Sequence, residues 1–222
     1  MKTRKMKLLA VAGVALIAVV AGGVIAWLNG SATARHEITT GKVDIRLVED
    51  AWDAGRARNL RPNAVLERDP RVKNVGANDA YVFVTLEMAA LPEGTALHSG
   101  TGMARSGLDT PLFTTQAGSG LAYDNAHWTL VTRSVRNGRI TQVYGYAHNN
   151  EMTPLKRNEI TPPVFERLRL ANAADSAALQ GVSTAISVTA YAIQTTELGK
   201  QGDAVAPLEV WNIVANYHQS RG

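Results

Sequence analysis

Ala80-Tyr81-Val82-Phe83-Val84-Thr85-Leu86 is the stretch on which the fold turns. Val82, Val84 and Leu86 alternate with Tyr81, Phe83 and Thr85, and in a strand successive side chains leave on opposite faces. Both sets are apolar, aromatic or β-branched, so the stretch predicts a strand covered on both sides. Just before it, Asn74-Val75-Gly76-Ala77-Asn78-Asp79 follows Arg71-Val72-Lys73. Asn and Gly tolerate left-handed backbone and Asp bonds its own chain, which predicts a connection there rather than a site. Further upstream, Val43, Ile45 and Leu47 point one way with Asp44 and Arg46 between them. Downstream, residues 128–133 and 140–146 flank Arg136-Asn137-Gly138-Arg139, where Asn-Gly supplies the positive φ angles of a type I′ hairpin turn. Residues 165–170 and 185–193 read as two more strands, the second with Ile186, Val188 and Ala190 on one side and Ser187, Thr189 and Tyr191 on the other. So many short strands predict an all-β fold, an antiparallel sandwich with a few short helices.

Two regions depart from that pattern. Residues 91–125 are rich in Gly, Ser and Thr and predict a long excursion between strands with a short helix inside it. Near the end, Val205, Leu208, Trp211, Ile213 and Val214 approximate a helical stripe, with Asp203 as N-cap and Pro207 near the first turn, which predicts a helix of about three turns, or a terminal strand if propensity is overruled. Pro162-Pro163 predicts a strand start at a rim. No internal repeat is visible.

The chain has 222 residues, 45% hydrophobic and 19% charged, and no cysteine. That excludes disulfides, thiol nucleophiles and cysteine-bound metals. The formal charge of +4 comes from the leading residues alone. Lys2, Arg4, Lys5 and Lys7 are the only charges before Arg35; with these four removed from the 23 basic groups, 19 remain against 19 acidic ones. A nucleic-acid partner is thereby disfavoured, because a phosphate-binding face shows as a basic excess in the folded part.

After the basic cluster, residues 8–28 form an uncharged, mainly apolar run of 21 residues, long enough as a helix to span roughly 30 Å. A basic start, an apolar run and small residues beyond it predict a signal peptide over residues 1–34, cut after Ala26 (Val24-Ile25-Ala26) or after Ala34 (Ala32-Thr33-Ala34). The pattern does not rank the two. The competing reading is an uncleaved anchor with Trp27 at the membrane interface. Both readings place residues 35–222, a single domain, outside the cytoplasm, because the Lys/Arg cluster precedes the span and stays inside.

Three blocks then carry a resemblance: Ile38-Thr39-Thr40-Gly41-Lys42-Val43-Asp44-Ile45; Asp69-Pro70-Arg71-Val72-Lys73-Asn74-Val75-Gly76-Ala77-Asn78-Asp79-Ala80-Tyr81-Val82-Phe83-Val84; and, late in the chain, residues 186–194 with Leu208-Glu209-Val210-Trp211. Together with the leading apolar segment they resemble the TasA/camelysin family, over about half the exported part. The resemblance implies a jelly-roll-like sandwich, export through a SipW-type signal peptidase and, in the TasA branch, assembly into extracellular biofilm-matrix or pilus-like fibres. It implies self-association as the main partnership, with a minor anchoring subunit as a further partner, and no cofactor. Through camelysin it also implies a competing reading, a cell-surface metalloprotease; a third is a monomeric surface-binding module held by an uncleaved helix.

Enzyme chemistry finds little support in the residues. The His-Glu-x-x-His helix is absent, and His36, His98, His127, His148 and His218 stand apart. His148 and Glu151 flank Asn149-Asn150, which predicts an exposed turn rather than a zinc site. No Gly-x-Ser-x-Gly is present, and Gly118-Ser119-Gly120 reads as a turn. Asp50 with Asp53, and Asp69 with Asp79, are oxygen donors of the kind calcium takes, without EF-hand spacing. Neither a catalytic residue nor a metal or cofactor ligand is therefore assigned.

A sandwich has edges that must be covered, blunted or used. Residues 35–47, freed by signal cleavage, offer Ile38, Val43, Ile45 and Leu47 to a groove of the next subunit as a donor strand. Four such side chains contribute about 6 to 12 kcal/mol, comparable with the cost of association, about 4 to 15 kcal/mol. The alternative is that residues 42–47 complete their own sandwich and the exchanging strand lies before Gly41.

Overall fold

The computed structural model describes residues 32–36, 43–53, 60–100, 102–175, 179, 185–198 and 204–219. Residues 8–28, Ala26, Ile38 and Asp203 lie outside them. The described residues form thirteen strands: β1 (Ala32–His36), β2 (Ile45–Val48), β3 (Val65–Glu67), β4 (Arg71–Asn74), β5 (Ala80–Ala89), β6 (Ala96–Ser99), β7 (Gly102–Arg105), β8 (Phe113–Gln116), β9 (Trp128–Arg136), β10 (Arg139–His148), β11 (Glu151–Met152), β12 (Arg167–Leu170) and β13 (Ile186–Gln194). A 3-10 turn (Thr195–Leu198) and one α-helix, α1 (Pro207–Gln219), follow. The protein is all-β, and its ladders are antiparallel except where β1 meets β13.

Six strands make the central sheet, in the order β1-β13-β5-β10-β11 with β9 also on β10. β5 sits between β13 and β10, and of its ten residues only Thr85 and Glu87 are not buried. Its two side-chain sets serve two cores. Val82, Val84, Leu86 and Met88 face the larger one, with Val188, Ala190 and Ala192 of β13 and Ile140 and Tyr144 of β10. Covering that face is a second layer of two small sheets, β2-β4 and β3-β12-β8, which contribute Ile45, Leu47, Val72, Leu66, Leu168, Leu170 and Phe113. Each large apolar side chain withdrawn from water here contributes about 1.5 to 3 kcal/mol.

Tyr81 and Phe83 face the other way, into a smaller core with Val143, Ala147, Met152, Ile193 and the helix residues Val210 and Val214. Trp211 meets Phe83 at 5.3 Å and Tyr191 at 5.5 Å between ring centroids. The predicted helix is thus present, but its buried stripe is Val210 and Val214, four apart; Leu208 and Ile213 are 51% and 44% exposed. The period of 3.6 selects one of two overlapping apolar sets, and the β-branched pair that fits against the pleated sheet is the one inside.

Asn137 and Gly138 carry φ of 50° and 71°, as the type I′ turn between β9 and β10 requires. Asn149 and Asn150, φ 50° and 62°, repeat the device between β10 and β11. Opposite the step from Val143 to Tyr144, Val131 is an extra residue in β9, a bulge. Gly145 makes room beside it: a Cβ there would lie 3.1 Å from Phe83 Cε1 and 3.2 Å from Val131 Cγ2.

Residues 91–125 depart from expectation: they hold β6, β7 and β8, and no helix among the described residues. β8 joins the second layer beside β12, whereas β6 and β7 form a largely exposed hairpin. Pro162-Pro163 precedes β12 by several residues instead of opening it, and the Pro162 carbonyl accepts a hydrogen bond from Trp128 Nε1 at 3.1 Å.

Candidate assembly edge

The central sheet ends in β1 on one side and in β9 on the other. β9 is blunted in the ways natural edges are: it carries the bulge at Val131 and the exposed Arg133 and Arg136. β1 is different. It is the leading strand of the described chain, it lies parallel to β13, and β13 is its sole partner among the described strands. The register runs Ala32↔Ile186, Thr33↔Ser187, Ala34↔Val188, Arg35↔Thr189 and His36↔Ala190. Without β1, β13 would present a row of unpaired backbone groups on the side away from β5. From His36 to Val43 the chain takes seven peptide steps, a reach of at most roughly 25 Å.

The expected donor residues divide. Val43, Ile45 and Leu47 are buried in the chain's own core, and β2 is laddered to β4 with Ile45↔Asn74 and Leu47↔Val72. In this single chain they therefore take the alternative place, completing their own sandwich. Ile38 lies outside the described residues, as does Ala26, while Ala34 is the middle residue of β1.

A charged corner fixes the far end of β2. Arg68 is fully buried, and its guanidinium donates from Nε to Glu49 Oε1 at 2.6 Å and from Nη2 to Glu49 Oε2 at 3.2 Å. The same group lies 4.7 Å from the centre of the Trp52 ring. A buried fork-to-fork pair of this kind is directional as well as attractive. Beside it Arg71 Nη2 donates to Asp50 at 2.6 Å and to Asp69 at 2.8 Å, and the Ala51 amide donates to Asp69 at 2.7 Å. Asp50 and Asp69 thus share the Arg71 guanidinium, which bonds a carboxylate of each. Sequence reasoning missed Arg68, because nothing in a lone Arg marks it as interior.

The other polar groups lie scattered. His148 Nδ1 pairs with the Ala126 carbonyl oxygen at 2.8 Å, and Glu151 is its cross-strand partner in the expected turn. His127 Nδ1 pairs with Asp124 at 2.8 Å. Among the described residues no three His, Asp or Glu side chains gather as a metal site would need. Burial pushes the Tyr144 phenol up to about 12, with the Thr115 hydrogen bond opposing, so Tyr144 remains a neutral hydroxyl within the larger core. Burial, with nearby acidic charge second, also raises Tyr81 (Glu151) and Tyr146 (Glu159 and Asp124).

No family model, curated protein or solved structure matches this chain.

Proposed function

We propose that the chain is an exported structural subunit, of TasA/camelysin type with a jelly-roll-like sandwich, that polymerises head to tail into extracellular matrix or cell-surface fibres. The leading strand of one copy lies along β13 of the next. What supports this is one observation: the strand completing the central sheet is the first described strand of the chain, paired to β13 alone among the described strands and separated from β2 by residues 37–44. A strand of that kind can leave its own sheet as an arm and remake the same backbone bonds on another copy.

The exchange changes few contacts, so concentration decides it. Once the arm has left its own sheet, each copy offers one arm and one open β13 edge; passing the arm on to a further copy, and not back to the copy that filled its own edge, makes the contact heterologous and the assembly open-ended unless its rotation closes a ring. The processed protein at high concentration is expected to form unbranched filaments in negative stain. A lasting monodisperse monomer under those conditions would contradict the proposal.

A further inference from the structure

We infer that the β13 edge selects its strand by size: it takes a strand with small residues at the positions opposite Ile186 and Val188 and turns away strands with bulky residues there. The inference rests on the assembly reading above, because the same edge receives a neighbour's arm. The selecting residues belong to β13 and to the stretch around β2. Ile186, Val188 and Ala190 of β13 are buried in the larger core, as are Val43, just before β2, and Ile45 and Leu47 within it. Stacked layers ordinarily stand about 10 Å apart. Here Cα atoms of β2 come within 8 Å of Cα atoms of both β13 and β1. The arm therefore enters at a pinched corner of the sandwich, with less depth for side chains than an ordinary two-layer core has.

The sequence of β1 answers that restriction. Ala32 and Ala34 hold the register positions opposite Ile186 and Val188, while Thr33 and Arg35 stand opposite Ser187 and Thr189. Register neighbours share a face of a sheet and successive positions alternate, so positions 32 and 34 belong to the larger-core side and 33 and 35 to the other. Alanine, the smallest residue with a Cβ, holds both positions on the core side. His36 ends the strand, opposite the small Ala190. A larger residue at position 34 must lift the strand from β13 or displace β2, because packed interiors yield little.

Arg35 supplies the readout, since trypsin cuts after it only when that backbone leaves the sheet. Cleavage after Arg35 is followed by mass spectrometry in the full chain and in three variants, each rate divided by that of a short peptide carrying the same substitution. Ala34→Leu is expected to raise the rate roughly ten- to hundredfold. Ala34→Ser, which stays small, and Thr33→Leu, which enlarges the other side, are expected to stay within about twofold of the unaltered chain. Arg35 as protected in Ala34→Leu as in the unaltered chain overturns size selection and leaves the assembly reading standing. Equal loss of protection in all three variants overturns it too, because size is then not what the edge reads. Cleavage of the unaltered chain at the peptide's rate overturns both, since no strand then lies on β13.

Discussion

Replacing both Thr33 and Ala34 with proline is expected to abolish filaments while the monomer stays folded. In a strand bonded on one side, alternate amides face the partner, so two adjacent prolines remove a ladder donor whichever way β1 is rotated. They also lock φ near −65°, away from the more extended values of a parallel ladder. The core remains, because β5, β10 and β13 pair with one another independently of β1. Sedimentation should show a compact monomer and microscopy no fibres. Fibres indistinguishable from those of the unaltered chain would remove β1 from the joint.

The second large effect is on stability. Arg68→Ala is expected to destabilise the fold by about 3 to 5 kcal/mol, because it leaves the buried Glu49 carboxylate without its partner. The Trp52 ring loses the cation stacked on it as well. Replacing both charges, Arg68→Met with Glu49→Leu, should restore most of that loss, since a buried ion pair and a well-packed apolar pair of similar volume differ little. Urea unfolding of the three variants measures the difference. A double variant as unstable as Arg68→Ala would mean that the cost lies in lost packing rather than in the stranded carboxylate. This corner also bears on assembly: Glu49 follows β2 directly, so its pairing with Arg68 holds β2 in its own chain and leaves exchange to the segment before it.

How much of this was legible in the sequence depends on how strongly each element is patterned. β5 and the β9-β10 hairpin were readable because the first is apolar on both sides and the second is closed by Asn137-Gly138, which few other turns would use. β6 and β7 were not. Ala96-Leu97-His98-Ser99 and Gly102-Met103-Ala104-Arg105 face solvent for the most part, so neither carries the alternation that a half-buried strand shows. β3, three residues long, is shorter than any window in which period two can be recognised.

The candidate edge was half legible. The alternation of Val43, Ile45 and Leu47 marks residues bound for the core, and all three are buried in the chain's own body, Ile45 and Leu47 in β2 and Val43 just before it. Ala32-Thr33-Ala34-Arg35-His36 has no apolar period at all; its place as a strand is set by the open side of β13, a tertiary fact. In the C-terminal helix, Val210 and Val214 lie inside while Leu208 and Ile213 lie outside, a choice made by the shape of the sheet beneath.

The central claim is tested most directly by crosslinking across the β1-β13 register, for which a chain without cysteine gives a clean background. Thr33 and Ser187 are register partners, and neighbouring strands lie about 4.8 Å apart, within reach of a disulfide. Copies carrying Thr33→Cys alone are mixed with copies carrying Ser187→Cys alone, allowed to assemble and oxidised. Disulfide-linked pairs joining one variant to the other are predicted, appearing with filament growth. No such pairs in the mixture, while both substitutions placed in one chain close a disulfide within that chain and it remains a monomer, would contradict strand exchange.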